Sequence, residues 1–66
     1  MTIYLNDKAI TINAGTTLAR LLIDQKIPQN GIATAINGNV VPATQRDSTT
    51  LSDGDKIIII SAFYGG

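Results

Sequence analysis

Residues 57 to 60 are four consecutive isoleucines, Ile57-Ile58-Ile59-Ile60, and no other stretch restricts the fold as strongly. Successive strand residues point to opposite faces, so an extended run of this kind is apolar on both. Preceded by Lys56 and continued to Phe63, it reads as the last and strongest strand. The chain has 66 residues and offers a single candidate helix, which can cover only one face of a sheet. Two readings of the other face stay open: the sheet curls and buries both sides itself, or that side is a docking surface for a partner protein. Under either reading the uncharged, proline-free run is an aggregation liability.

The remaining segments build a sheet around that strand. Thr2-Ile3-Tyr4-Leu5 alternates polar and apolar, Asn6-Asp7-Lys8 interrupts, and alternation resumes at Ile10-Thr11-Ile12, which is a β-hairpin pattern. After Asn13-Ala14-Gly15, a hydroxyl of Thr16 or Thr17 can cap a helix whose Leu18, Leu21 and Leu22 share one face. Pro28 disfavours helical backbone at Ile27, which places the helix end near Gln25 or Lys26, and Gln29-Asn30-Gly31 is a turn. Residues 32 to 36 are extended, and Asn37-Gly38-Asn39 joins them to a short strand at Val40-Val41, ended by Pro42. Residues 43 to 50 are polar and aperiodic, which predicts a surface connection with at most one helical turn. Ser52-Asp53-Gly54-Asp55 is a tight turn before the last strand. The order predicts one α+β domain, a mixed sheet of four to five strands packed on a single helix. The helix is the segment able to provide the crossover that parallel pairing needs.

Composition removes most chemistry. There is no cysteine and no histidine, hence no thiol nucleophile, no thiolate or imidazole metal site and no disulfide. A chain of this size buries only about 60% of the surface its unfolded form exposes, which leaves a thin core and no roomy substrate cleft. All five carboxylate side chains are Asp, and the neighbouring Asp53 and Asp55 are explained by their turn rather than by an acid–base pair or a metal site. The threonine and serine hydroxyls have no histidine to activate them. Five basic residues balance the five Asp and are scattered, so no surface for nucleic acid is expected. No targeting segment is legible, and the longest aliphatic run is far short of the roughly 20 residues that span a bilayer. The expectation is a cytoplasmic protein that binds no cofactor or metal, touches neither membrane nor nucleic acid, and is not an enzyme.

The carboxyl end is the second unusual feature. Glycine loses more entropy on ordering than any other residue, so Gly65 and Gly66 add nothing to folding stability. Residues 63 to 66 therefore read as a flexible tail behind a domain of residues 1 to 62. Fraying is the plain explanation. The functional one is that an ionised α-carboxylate on a stalk without side chains can be threaded into another protein's active site.

Several segments in order resemble one known family: the Ile3-Tyr4-Leu5-Asn6-Asp7-Lys8 hairpin, the Gly15-Thr16-Thr17-Leu18 helix start with Leu21-Leu22, Ala35-Ile36-Asn37-Gly38-Asn39-Val40-Val41-Pro42, the Leu51-Ser52-Asp53-Gly54-Asp55 turn, and the closing Gly65-Gly66. Together, and with the length and the stop after Gly66, they resemble the ThiS family of sulfur carriers of thiamine biosynthesis, with a ubiquitin-like β-grasp fold. The resemblance implies that a ubiquitin-activating-type enzyme, using its own ATP and magnesium, adenylates the Gly66 carboxylate. A sulfur donor such as a cysteine desulfurase then yields a thiocarboxylate, which supplies thiazole synthase. It implies that Gly65 and Gly66 carry the chemistry and that Ile58, Ile60, Phe63 and Tyr64 face the partner. By strand phase, the resemblance would turn Ile57 and Ile59 to the helix and Ile58 and Ile60 to the open face. Phe63 and Tyr64 depart from the small or aliphatic residues expected before the glycines, and Thr44-Gln45-Arg46 lacks an aromatic frequent there. Other readings are the small subunit of molybdopterin synthase, a ubiquitin-like modifier, and a plain β-grasp binding module.

Overall fold

The computed structural model describes residues 1 to 61; Ala62, Phe63, Tyr64, Gly65 and Gly66 lie outside the described residues. Five strands form one sheet: β1 (Thr2–Leu5), β2 (Lys8–Thr11), β3 (Ile32–Ile36), β4 (Asn39–Val41) and β5 (Lys56–Ser61). Their spatial order is β2-β1-β5-β3-β4. The run of isoleucines thus forms the middle strand, parallel to β1 and antiparallel to β3. Helix α1 (Leu18–Asp24) supplies the cover for one face, as the single amphipathic segment predicts.

Both hairpins turn on two residues. Asn6 and Asp7 have φ of 48° and 69°, and Asn37 and Gly38 have 51° and 86°. Positive φ at both central positions twists a hairpin in the sense its strands already have, and asparagine, aspartate and glycine tolerate it best. The turns are shorter than the sequence pattern suggests, since Lys8 and Asn39 are already strand residues opposite Leu5 and Ile36.

Thr17 is the helix cap, its hydroxyl accepting from the Arg20 amide at 3.2 Å. Leu18, Ala19, Leu21 and Leu22 are buried, which is the apolar face read from the spacing plus one alanine. At the other end Lys26 adopts φ 60°, and the amides of Lys26 and Ile27 donate to the carbonyls of Ile23 and Leu22 at 3.0 and 2.9 Å. This pair of bonds is a Schellman closure, made here with lysine in the position usually given to glycine. Ile3, Leu18, Leu21, Val41, Leu51 and Ile57 form the core between helix and sheet.

Residues 43 to 50 form a largely exposed connection, as expected, but with more helical structure than one turn and with one buried side chain. A 3₁₀ helix spans Ala43–Ser48, and Arg46 within it is 3% exposed. Its guanidinium donates to the carbonyls of Gln29 and Ile32 at 2.8 and 3.0 Å and to the Thr34 hydroxyl at 3.3 Å. The Thr34 hydroxyl in turn donates to the Val41 carbonyl at 2.8 Å. A planar group with several fixed donors can satisfy three acceptors at once, one in the loop before β3 and two in β3 itself, so burial is tolerated.

Candidate functional site

Strand β5 connects the core to the tail, and its two faces differ. Ile57 is fully buried and Ile59 packs against the core, whereas Ile58 is 39% and Ile60 60% exposed. The assignment made by strand phase is therefore correct, and the sheet does not bury both sides of β5 by curling. Directly opposite Ile58 and Ile60 on β3 stand Ala35 and Ala33. Cross-strand partners share a face, and an alanine methyl is too small to shield an isoleucine. Tyr4 on β1, 39% exposed, and Val40 on β4, 76% exposed, extend the same open side. The sequence alternation around Ile3 already gave the signal for Tyr4, which the reading of the final strand overlooked.

Two asparagines hold β5 in place. Past the end of β1 the Asn6 backbone amide donates to the Ile57 carbonyl at 2.9 Å, and its side chain continues the ladder: Oδ1 accepts from the Ile59 amide at 2.9 Å and Nδ2 donates to the Ile59 carbonyl at 3.3 Å. On the opposite flank Asn37 receives the Lys56 amide on Oδ1 at 3.0 Å, and its own amide donates to the Lys56 carbonyl at 2.8 Å. Each is the first residue of a hairpin turn. The amide side chain extends the backbone pairing into the turn, which leaves the backbone groups of Lys56 and Ile59 hydrogen-bonded.

The turn into β5 accounts for the paired aspartates. Asp53 accepts the Thr2 amide at 2.8 Å, and Asp55 accepts the Ser52 amide at 2.7 Å and the Asn37 Nδ2 at 3.0 Å. These carboxylates are occupied in closing the turn and fixing it to β1 and the second hairpin. Among the described residues no cluster of aspartate, glutamate, cysteine or histidine is arranged to hold a metal ion. No helix among them is long and apolar enough to cross a membrane. Of the residues singled out in the sequence, Ile58 and Ile60 come together on the open face. Phe63, Tyr64, Gly65 and Gly66 lie outside the described residues.

A mixed five-stranded sheet gripping one helix, with an open apolar face on the strand that leads into the carboxyl end, defines a ubiquitin-like β-grasp domain. A crystal structure of a thiamine biosynthesis protein (ThiS) from Geobacter metallireducens superimposes with a TM-score of 0.85 at 28% identity, covering all of both chains. A solution structure of a thiamine biosynthesis protein from the same organism gives 0.76 at 28% identity, over all of this chain and 87% of that one. The sulfur carrier protein ThiS of Escherichia coli K12 is 40% identical across the full length of both sequences. The ThiS family model matches residues 2–66, and the chain belongs to the ThiS family. That membership makes it a small carrier acted on by other proteins, not a catalyst.

Proposed function

We propose that this chain carries sulfur for thiazole formation in thiamine biosynthesis, with the Gly66 carboxylate as the point of attachment. A partner of the ubiquitin-activating type, holding ATP and magnesium, joins the carboxylate to AMP and releases pyrophosphate. A carboxylate resists nucleophiles until it bears such a leaving group, and no group in this chain can install one. A donor persulfide then attacks the acyl carbon, AMP departs with the bonding electrons, and a thiol cleaves the sulfur–sulfur bond to leave a thiocarboxylate. Thiazole synthase takes its sulfur from there. Ile58 and Ile60 dock the adenylating partner, Phe63 and Tyr64 contribute to the same recognition, and Gly65 gives the terminus a stalk narrow enough for an enclosed active site. Cytoplasm is the compartment that suits these partners.

The observation that carries this reading is the end-to-end match to sulfur carrier relatives, Gly65 and Gly66 included. The open face of β5 supports it physically, since an uncovered apolar stripe on the strand leading to the attachment point is where a partner gains most from contact. The test is intact-mass measurement after incubation with the adenylating enzyme, ATP, cysteine, a cysteine desulfurase and a thiol. The expected gain corresponds to one oxygen exchanged for one sulfur, absent when Gly66 is deleted. An unchanged mass in a system that loads a known carrier would refute the proposal.

A further inference from the structure

The chain contains two Asn-Gly pairs, Asn30-Gly31 and Asn37-Gly38, and the fold treats them differently. Asparagine before glycine is prone to lose its side-chain amide, because the following residue has no Cβ to hinder the approach of its nitrogen to the carboxamide carbon. Both asparagines are exposed, so access to water does not separate them. Their restraints do. The Asn37 carboxamide accepts the Lys56 amide at 3.0 Å and donates to the Asp55 carboxylate at 3.0 Å, and it cannot turn toward the Gly38 nitrogen without breaking both bonds. Among the described residues no hydrogen bond holds the Asn30 side chain, which borders an uncharged groove of about 410 Å³ that Ile32 and Ser61 also line. We infer that Asn30 is a site of spontaneous deamidation in the folded protein, and that Asn37 is protected by its bonds to Asp55 and Lys56.

The reaction needs only water. The Gly31 nitrogen attacks Cγ of Asn30 and gives its proton to solvent, the carboxamide C–N bond breaks, and ammonia departs to leave a cyclic succinimide. Water then opens the ring at either carbonyl. Opening at the side-chain carbonyl gives aspartate. Opening at the main-chain carbonyl gives isoaspartate, whose backbone runs through Cβ and Cγ and is longer by a single carbon. That carbon falls between Gln29 and Ile32, whose carbonyls Arg46 bridges at 2.8 and 3.0 Å. Ile32 is also the β3 partner of Ser61, so the longer loop strains the support at the end of β5.

Peptide mapping of the full chain, aged in mildly alkaline buffer, tests the site without any partner enzyme, so its outcome is independent of whether the chain carries sulfur. The peptide holding Asn30 should exchange NH2 for OH at least about tenfold faster than the peptide holding Asn37, where two hydrogen bonds, one of them to a carboxylate, must open first. In concentrated urea that difference should vanish. An isoaspartyl carboxyl methyltransferase with labelled S-adenosylmethionine should label the aged native protein, and Asn30→Ser should remove most of the label. Asn30→Asp, which adds the charge without the extra carbon, should melt like the fresh protein, whereas chains carrying isoaspartate at position 30 should melt lower. Equal rates at the two pairs in the folded protein, or an inert Asn30 under conditions where the urea-unfolded chain converts, would overturn the inference. Isoaspartate chains that melt like Asn30→Asp would overturn the strain on the Arg46 bridge.

Discussion

Lys26 and Arg46 show how much of this small fold rests on single side chains in uncommon settings. Lys26 closes α1 at φ 60°, where a side chain with a Cβ is strained by about 1–2 kcal/mol. Glycine removes that strain but gains unfolded-state entropy, which returns about 0.5–1 kcal/mol. Lys26→Gly should therefore stabilise the protein by about 1 kcal/mol, seen as a rise of about 4–8 °C in thermal midpoint. Arg46 pulls the other way. Replacing it with alanine leaves the Gln29 and Ile32 carbonyls without their donor and empties the space beneath the 3₁₀ helix. Hydrogen bonds to a charged donor contribute about 1.5–3 kcal/mol each, so a loss of about 3 kcal/mol or more is expected in urea unfolding. Neither role was legible in the sequence. Lys26 looks like a solvated residue before Pro28, and a lone arginine among polar residues gives no hint that its acceptors lie in Gln29, Ile32 and Thr34.

At the scale of elements, β5 was the most legible and its restraints the least. A run of isoleucines shows an alternation but not which phase is buried: the inward turn of Ile57 and Ile59 rests on the family resemblance, and the exposure of Ile58 and Ile60 bears it out. The two turns were equally plain, because Asn-Asp and Asn-Gly are the residues that tolerate positive φ. Hidden were the bonds from Asn6 to Ile59, 53 residues away, and the 3₁₀ helix, whose polar period of three carries no hydrophobic signature. The open phase supports a direct test. Ile60→Asp should leave the circular dichroism spectrum intact and change stability by less than about 1 kcal/mol, because its side chain is already largely in water. Its Michaelis constant for adenylation should rise at least severalfold. Ile57→Asp places a carboxylate in the core and should prevent folding altogether. Full adenylation efficiency in folded Ile60→Asp and Ile58→Asp variants would show that the partner docks elsewhere.

The molecule as a whole is held by apolar contact and hydrogen bonding, with little help from charge. Its five basic and five acidic residues cancel. The described residues show an ion pair between Arg20 and Asp24, 3.0 Å apart and exposed on one helix face. Arg46 is bound by carbonyls and a hydroxyl, and Asp53 and Asp55 mainly accept backbone amides. Short contacts of that kind are scarcely screened by mobile ions, whereas an exposed helical pair contributes only about 0.3–0.5 kcal/mol at low salt. Losing that pair would lower the thermal midpoint of so small a domain by about 2 °C. Raising sodium chloride from about 50 to 500 mM, which shortens the screening length from beyond 10 Å to below 5 Å, should therefore shift the midpoint no further than that. Docking through an apolar stripe predicts the same indifference for the Michaelis constant of adenylation, since the attraction does not depend on opposed charges. A midpoint shift beyond about 5 °C would mean that charges spread across the fold act together. A steep salt dependence of adenylation alone would instead place the partner on a charged part of the surface, away from Ile58 and Ile60.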